Sequence, residues 1–148
     1  MAITLATENV RSGSGGPFAA LIVIGGAVIA TGVNQVTATN DPTAHAEVLA
    51  IRNACRELGS FQLDGCEIYT SCEPCPMCLG AIYWARLKAI YYANSSGDAA
   101  RFGFDDLLIY RELQTPPAER RIPMLRIPND KATESFEAWD KSGAKMEY

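Results

Sequence analysis

The order of apolar and punctuating residues along this chain predicts an α/β fold, and three observations carry that expectation. Two nearly continuous apolar runs, Phe18 to Ile24 and Ala27 to Val33, flank the pair Gly25-Gly26, which is the pattern of two buried strands joined by a tight hairpin. Further on, Cys66 to Thr70 and Lys88 to Ala93 are short strand candidates separated by a helical stretch from about Cys75 to Arg86. Strand, helix, strand in that order is a βαβ unit, with parallel strands and a right-handed crossover. Between these regions, Ala44, Val48, Ile51, Cys55 and Leu58 recur on one helical face, with Arg52, Asn53, Arg56 and Glu57 opposite.

The remaining elements follow from local signals. Ile3, Ala6 and Val10 share a helical spacing ahead of the loop from Ser12 to Gly16, so a short first helix stopped by glycine is expected. A polar loop from Asn34 to Asn40 leads to Asp41-Pro42, where a capping aspartate and a first-turn proline predict the start of the amphipathic helix; Gly59 ends it. The stretch from Cys75 to Arg86 is apolar nearly all round, which predicts a buried helix. Phe104 to Leu113 reads as helical and Thr115-Pro116-Pro117 breaks it; Arg121 to Ile127 is a candidate edge strand, and Phe136 with Trp139 suggests a terminal helix.

With 148 residues the chain is expected to form one domain, 1-148. Its 48% hydrophobic and 20% charged residues lie in the ordinary globular range. No apolar run approaches the roughly 20 residues that span a bilayer, and no signal-like segment opens the chain, so a cytoplasmic protein without membrane association is expected. The five cysteines are odd in number and clustered, which favours metal or thiol chemistry over a disulfide scaffold. A net charge of -4 disfavours a polynucleotide partner, because nucleic-acid binding leans on basic surface.

The chemistry is concentrated where two helices begin. His45, the only histidine, stands in Thr43-Ala44-His45-Ala46-Glu47, and Cys75 and Cys78 stand in Pro74-Cys75-Pro76-Met77-Cys78. Residues three apart share a helix face, and the positive end of the helix dipole favours thiolates, so Cys75 and Cys78 suit one zinc ion together with His45. A structural zinc site closes its tetrahedron with four protein ligands, whereas three leave a position to water, whose pKa then falls to about 7. An open catalytic site is therefore expected, with Glu47 as the base. Regular helix geometry alone does not turn residues two apart the same way, so His45 and Glu47 require a special geometry at the helix end. Each half has a plainer reading: His-x-Glu as a solvated pair, and Cys-x-x-Cys as a redox pair or half of a structural site. Cys55, Cys66 and Cys72 read as small buried or partly buried thiols.

His-x-Glu followed by Pro-Cys-x-x-Cys resembles the signature of the cytidine deaminase superfamily. Within it, the runs from Asn40 to Glu47 and from Ser71 to Ile82, with Gly103-Phe104-Asp105-Asp106 and terminal Tyr148, are similar to the bacterial guanine deaminase branch. That resemblance covers nearly the whole chain. It implies a three-layer α/β/α sandwich with a central mixed five-stranded sheet, a Zn2+ cofactor, and conversion of guanine to xanthine and ammonia. It further implies that Phe18, Asn34, Ala46, Trp84 and Tyr148 bind the purine and that Asp106 contacts it and assists proton transfer. It also implies a homodimer in which the segment 128-148 crosses to the neighbouring subunit and Tyr148 covers that subunit's pocket. On residues alone, Phe18 and Trp84 read as core packing, Asn34 as a turn cap, Asp106 as a helix start and Tyr148 as a loose end. Two departures from the family pattern are a first helix that begins close to Met1 and Ala19 where glycine is common.

The expected partner is thus a small purine base. The nearest rival is a tRNA adenosine deaminase, which must flip a base from an anticodon loop into its pocket; guanosine and aminotriazine deamination use the same chemistry. From another class, a non-catalytic zinc module would need a fourth protein ligand, for which Cys72 is the candidate.

Overall fold

The computed structural model describes residues 1-146. It divides after Leu107 into two units, Met1–Leu107 and Leu108–Tyr148. The first contains all the strands. Helix α1, Ala2–Arg11, precedes the hairpin of β1, Ala19–Ile24, and β2, Ala27–Val33. The hairpin turn uses Gly25 at φ 57° and Gly26 at φ 84°, two consecutive positive angles that suit the twist of paired strands and favour glycine. Short helix α2, Val36–Thr39, and helix α3, Ala46–Leu58, follow. Then come β3, Glu67–Cys72; α4, Pro76–Trp84; β4, Ala89–Asn94; and α5, Ser96–Ala100.

Among the described residues the sheet has four strands, in the order β2-β1-β3-β4, where five are expected. β1 runs antiparallel to both β2 and β3, whereas β3 and β4 are parallel, so the sheet is mixed and β3-α4-β4 is the expected βαβ unit. The missing strand is the one expected at Arg121 to Ile127. That segment joins no ladder: Arg121 and Ile122 form a bend, the Met124 N–H is donated to the Pro117 carbonyl at 2.9 Å, and Pro123 removes a backbone donor that a ladder needs.

β1 is buried on both faces from Ala19 to Ile22. One face joins Ala20 and Ile22 to Ala46, Ala50 and Ala54 of α3, with Ile68, Leu63, Cys66 and Ile82; α1 also packs against β1 and β3. The inner face of α3 therefore differs from the expected one: Ala46, Ala50, Ala54 and Ile51 are buried, while Leu58 is 44% exposed. The cause is close packing. A Cβ on Gly32 of β2 would lie 2.2 Å from the Ala46 carbonyl oxygen and 2.5 Å from the Ala50 nitrogen, so backbone meets backbone and only small side chains fit the seam.

α3 also begins later than the Asp41-Pro42 signal suggests. The Asp41 carboxylate accepts the Thr43 N–H at 2.8 Å and its hydroxyl at 2.7 Å. This closes a local turn, which competes with helix entry; the helix starts at Ala46 instead, with His45 as its N-cap. α4 departs from expectation as well, since only Cys78 and Ile82 are buried whereas Tyr83 and Trp84 stand exposed. Its hydrophobicity is two-sided, but only one side meets the core.

In the second unit, α6, Leu107–Gln114, enters from the first; a 3-10 turn, Pro117–Glu119, and α7, Glu134–Asp140, follow. The proline break and terminal helix fall where expected. None of the described residues from 108 to 146 is buried. Among the described residues no helix is long and apolar enough to cross a membrane.

The Gly32 seam gives a direct test. Gly32→Ala is expected to destabilise the protein by about 1–3 kcal/mol, as overpacking does, read as a lower urea midpoint with unchanged slope. A midpoint equal to that of wild type would mean that α3 is free to retreat from β2.

Candidate active site

Two helices begin at one place. His45 and Cys75 are the N-caps of α3 and α4, both in extended backbone (ψ 152° and 167°), while Cys78 and Glu47 lie within the first turns that follow. The extended cap resolves the His45 and Glu47 geometry: because His45 precedes the helical backbone, a residue two positions later reaches the same space. His45 Nδ1 lies 3.5 Å from the sulfurs of both Cys75 and Cys78. The Cys78 thiol donates to Glu47 Oε2 at 3.4 Å. The three potential ligand atoms of His45, Cys75 and Cys78 all fall within 4.8 Å of one another.

Electrostatics indicate what this cluster suits. Hydrogen bonding with Cys78 holds the Cys75 pKa at about 4, with His45 adding to the effect. Cys78 is pushed far up, by that same hydrogen bond, by burial and by the charges of Glu47 and Cys75. Two thiolates beside a buried carboxylate coexist only with a compensating positive charge. His45 is raised chiefly by its hydrogen bond to Cys75, and Glu47 chiefly by burial. A divalent cation that prefers sulfur and imidazole fits this donor set, and the helix N-termini add partial positive charge.

The cluster opens on a cavity of about 480 Å³ within Met1–Leu107. Its lining includes Phe18, Asn34, Glu47 and Asp106, all expected site residues, together with Glu73 and Phe104. The rings of Phe18 and Phe104 meet edge to face, with centroids 4.9 Å apart. Asn34 is buried, and its Oδ1 accepts the backbone N–H groups of Gly16 and Val36, each at 3.3 Å. Two N–H donors identify the oxygen side of the carboxamide, so its NH2 is the end left to serve the cavity. The carboxyl of Asp106 is raised, first by burial and then by the charges of Cys75, Asp105 and Glu73.

Other expected residues lie elsewhere. Ala46 is buried in the α3 seam, and Trp84, at the end of α4, is 68% exposed; neither lines this cavity. Tyr148 lies outside the described residues. Cys72 is buried beside the site, lining the cavity and donating to the Ser95 carbonyl at 3.6 Å, but it stands outside the His45, Cys75 and Cys78 ligand group.

Sequence reasoning missed several supports. Glu73 Oε2 accepts the Ser96 N–H at 2.9 Å, and Ser95 with Asp98 forms a capping box, which together set α5 beside the cavity. Asn9 donates from α1 to the backbone around Asn34. A polar residue at the inner spacing of Ala6 was the available signal.

An α/β frame that presents a sulfur- and imidazole-lined metal cluster with a buried carboxylate at its edge defines a metal-dependent hydrolase. The model of the cytidine and deoxycytidylate deaminase zinc-binding region matches residues 1–94. The chain therefore belongs to that zinc-dependent deaminase family. It is 58% identical over 147 residues to the guanine deaminase of Bacillus subtilis, covering 99% of this chain and 94% of the relative. The crystal structure of the Bacillus subtilis guanine deaminase superposes with a TM-score of 0.97 over the same shares. A guanine deaminase from Nitrosomonas europaea is 37% identical, with a TM-score of 0.67 over 71% of this chain and 61% of that one. The tRNA-specific adenosine deaminase of Agrobacterium fabrum is 46% identical over 89 residues, 59% of each chain.

Metal analysis tests the ligand set. Cys78→Ser is expected to reduce bound zinc to well below one ion per chain, while Cys55→Ser, outside the cluster, leaves it unchanged. Equal zinc in both variants would remove Cys78 from the ligands.

Proposed function

We propose that this protein catalyses the hydrolytic deamination of guanine to xanthine and ammonia. The observation that carries the reading is a likeness both close and full-length. The match to guanine deaminase is 58% identical over 99% of the chain with a TM-score of 0.97, whereas the tRNA deaminases are 46% identical over 59% of it or 36% identical over 80%. The cavity is consistent with it: Glu47, Glu73, Asp105 and Asp106 line it, and no lysine or arginine does. Such a wall repels phosphate and suits an uncharged base.

His45, Cys75 and Cys78 would hold zinc, which when bound would supply Lewis-acid activation of water. Asn34 directs its NH2 donors at acceptor atoms of the base; guanine offers N7 and O6, while adenine presents an amino group in place of O6. Phe18, braced by Phe104, packs against the planar ring. Glu47 Oε2 takes the proton of the attacking water as the bond from oxygen to C2 forms. It passes that proton to the ring nitrogen, then takes the remaining proton from the hydroxyl added at C2 and delivers it to the amine as the C2–N2 bond breaks, the C2 carbonyl forms and ammonia leaves. Asp106, which lines the same cavity and whose carboxyl is raised by burial, assists the proton transfer.

The same reading extends to assembly. In the second unit Ile122, Leu125, Ile127 and Phe136 are between 73% and 85% exposed. Apolar side chains in that number call for a covering surface. We infer a homodimer in which the segment 128-148 passes to a second copy, Tyr148 closes the partner's cavity, and the exposed Trp84 joins the shared surface. The five free cysteines accord with a reducing, cytoplasmic setting.

Ammonia release from guanine, guanosine, adenine, cytosine, cytidine and tRNA tests the substrate; guanine is expected to dominate, and faster release from tRNA would overturn the reading. Glu47→Gln is expected to lose about 10² to 10⁴ in kcat with zinc retained. Removal of residues 145-148 is expected to lower guanine turnover without loss of metal, and unchanged turnover would rule out the lid.

A further inference from the structure

Asn9 is a polar side chain in an apolar place. It sits on the inner side of α1, 5% exposed, where Ala6 is its buried neighbour one turn earlier. Asparagine is a poor helix former, and burying an amide is costly unless its hydrogen bonds are made. Its Nδ2 makes two, to the Gly16 and Asn34 carbonyl oxygens, each at 2.9 Å. One amide thus ties two segments 18 residues apart in sequence.

Both segments carry cavity residues. The Gly16 carbonyl also accepts the Phe18 N–H at 2.9 Å, and the Phe18 carbonyl accepts the Asn34 N–H at 3.0 Å. The Asn34 side chain closes the circuit by accepting the Gly16 N–H at 3.3 Å. The fit leaves no slack: a Cβ on Gly15 would stand 2.0 Å from the Asn34 carbonyl oxygen and 3.0 Å from Asn9 Nδ2. Without the Asn9 donors, the Asn34 carbonyl faces an apolar interior unpaired, and the cheapest relief is rotation of that peptide, which carries the Asn34 side chain with it.

We propose that Asn9 is a positioning residue for base recognition, acting from outside the cavity by fixing the backbone from which Asn34 presents its NH2 group. The inference rests on the proposed reading of the site and adds a residue to it. Its mark is dependence on Asn34. Asn9→Ala is expected to lower kcat/KM for guanine by about tenfold, the effect of misplacing one well-formed hydrogen bond, with zinc content retained. In an Asn34→Ala background the same substitution is expected to cost less than about twofold, because the group it positions is gone. Equal losses in the two backgrounds would overturn the proposal, since a purely structural residue gives additive effects. Should Asn9→Ala fail to fold, Asn9→Ser carries the same cycle; failure of both would make Asn9 a folding residue and overturn the proposal too.

A second readout needs no turnover. The Asn34 side-chain amide signal in the NMR spectrum, assigned by its loss in Asn34→Ala, is expected to shift in the Asn9 variant without substrate. A shift in a protein that leaves guanine untouched would sink the substrate reading and keep this one. An unmoved signal would sink this one alone.

Discussion

The structure depends on two helix starts being held against each other. α3 and α4 each contribute an N-cap in extended backbone and a side chain from the first turn, so four groups from two short stretches converge within a few ångströms. The burden is electrostatic: two thiols, a carboxylate and an imidazole resist sharing a buried space unless a cation joins them. Raised Glu47 and Cys78 beside a lowered Cys75 express that conflict. A metal ion resolves it by replacing mutual repulsion with attraction.

Positioning such a cluster requires a frame without play, and the frame is made of small contacts. Ala46, Ala50 and Ala54 let α3 settle on the hairpin at Gly32, which places the N-cap His45 at the end of the strand layer. Ser71 ties the end of β3 to its neighbours, accepting the Ala19 N–H at its hydroxyl and the Asn94 amide at its carbonyl. The cavity therefore sits at the ends of β1, β3 and β4, where the strands release their loops. Ligand sites at strand ends are the rule in open α/β sheets; here both helix dipoles point at the same spot.

What could be read from the sequence is what depends on spacing. His45, Glu47, Cys75 and Cys78 were visible because one imidazole and two sulfurs at helix starts have few other uses, and Gly25-Gly26 marked the hairpin. What could not be read depends on tertiary choice. Asp41 resembles a helix cap but satisfies Thr43 instead. Leu58 fits the apolar stripe of α3 yet lies exposed, because the closeness of Gly32, unknowable from spacing, selects the alanine face. The five-stranded sheet was implied by the family resemblance, with Arg121 to Ile127 as its candidate edge strand, but a strand requires a partner to pair with. Asn9 was hidden because a lone asparagine in an amphipathic helix resembles a surface residue until its partners are seen.

The cavity is built from two stretches of the chain. His45, Glu47, Cys75 and Cys78 all fall within residues 1–94, the region matched by the family model. Such groups fix the reaction, because water addition and amine loss are the same on any amino-substituted ring. Ala99, Gly103, Phe104, Asp105 and Asp106 lie beyond that region and form the remaining wall of the cavity. They line it together with Phe18, Asn34 and Glu73 from the matched region. Phe104 stiffens the ring of Phe18 from outside the shared region, and three acidic side chains, Glu73, Asp105 and Asp106, make the rim hostile to phosphate. A wall of one charge disfavours phosphate groups, and its members come from both stretches, Glu73 from within the matched region and Asp105 and Asp106 from beyond it.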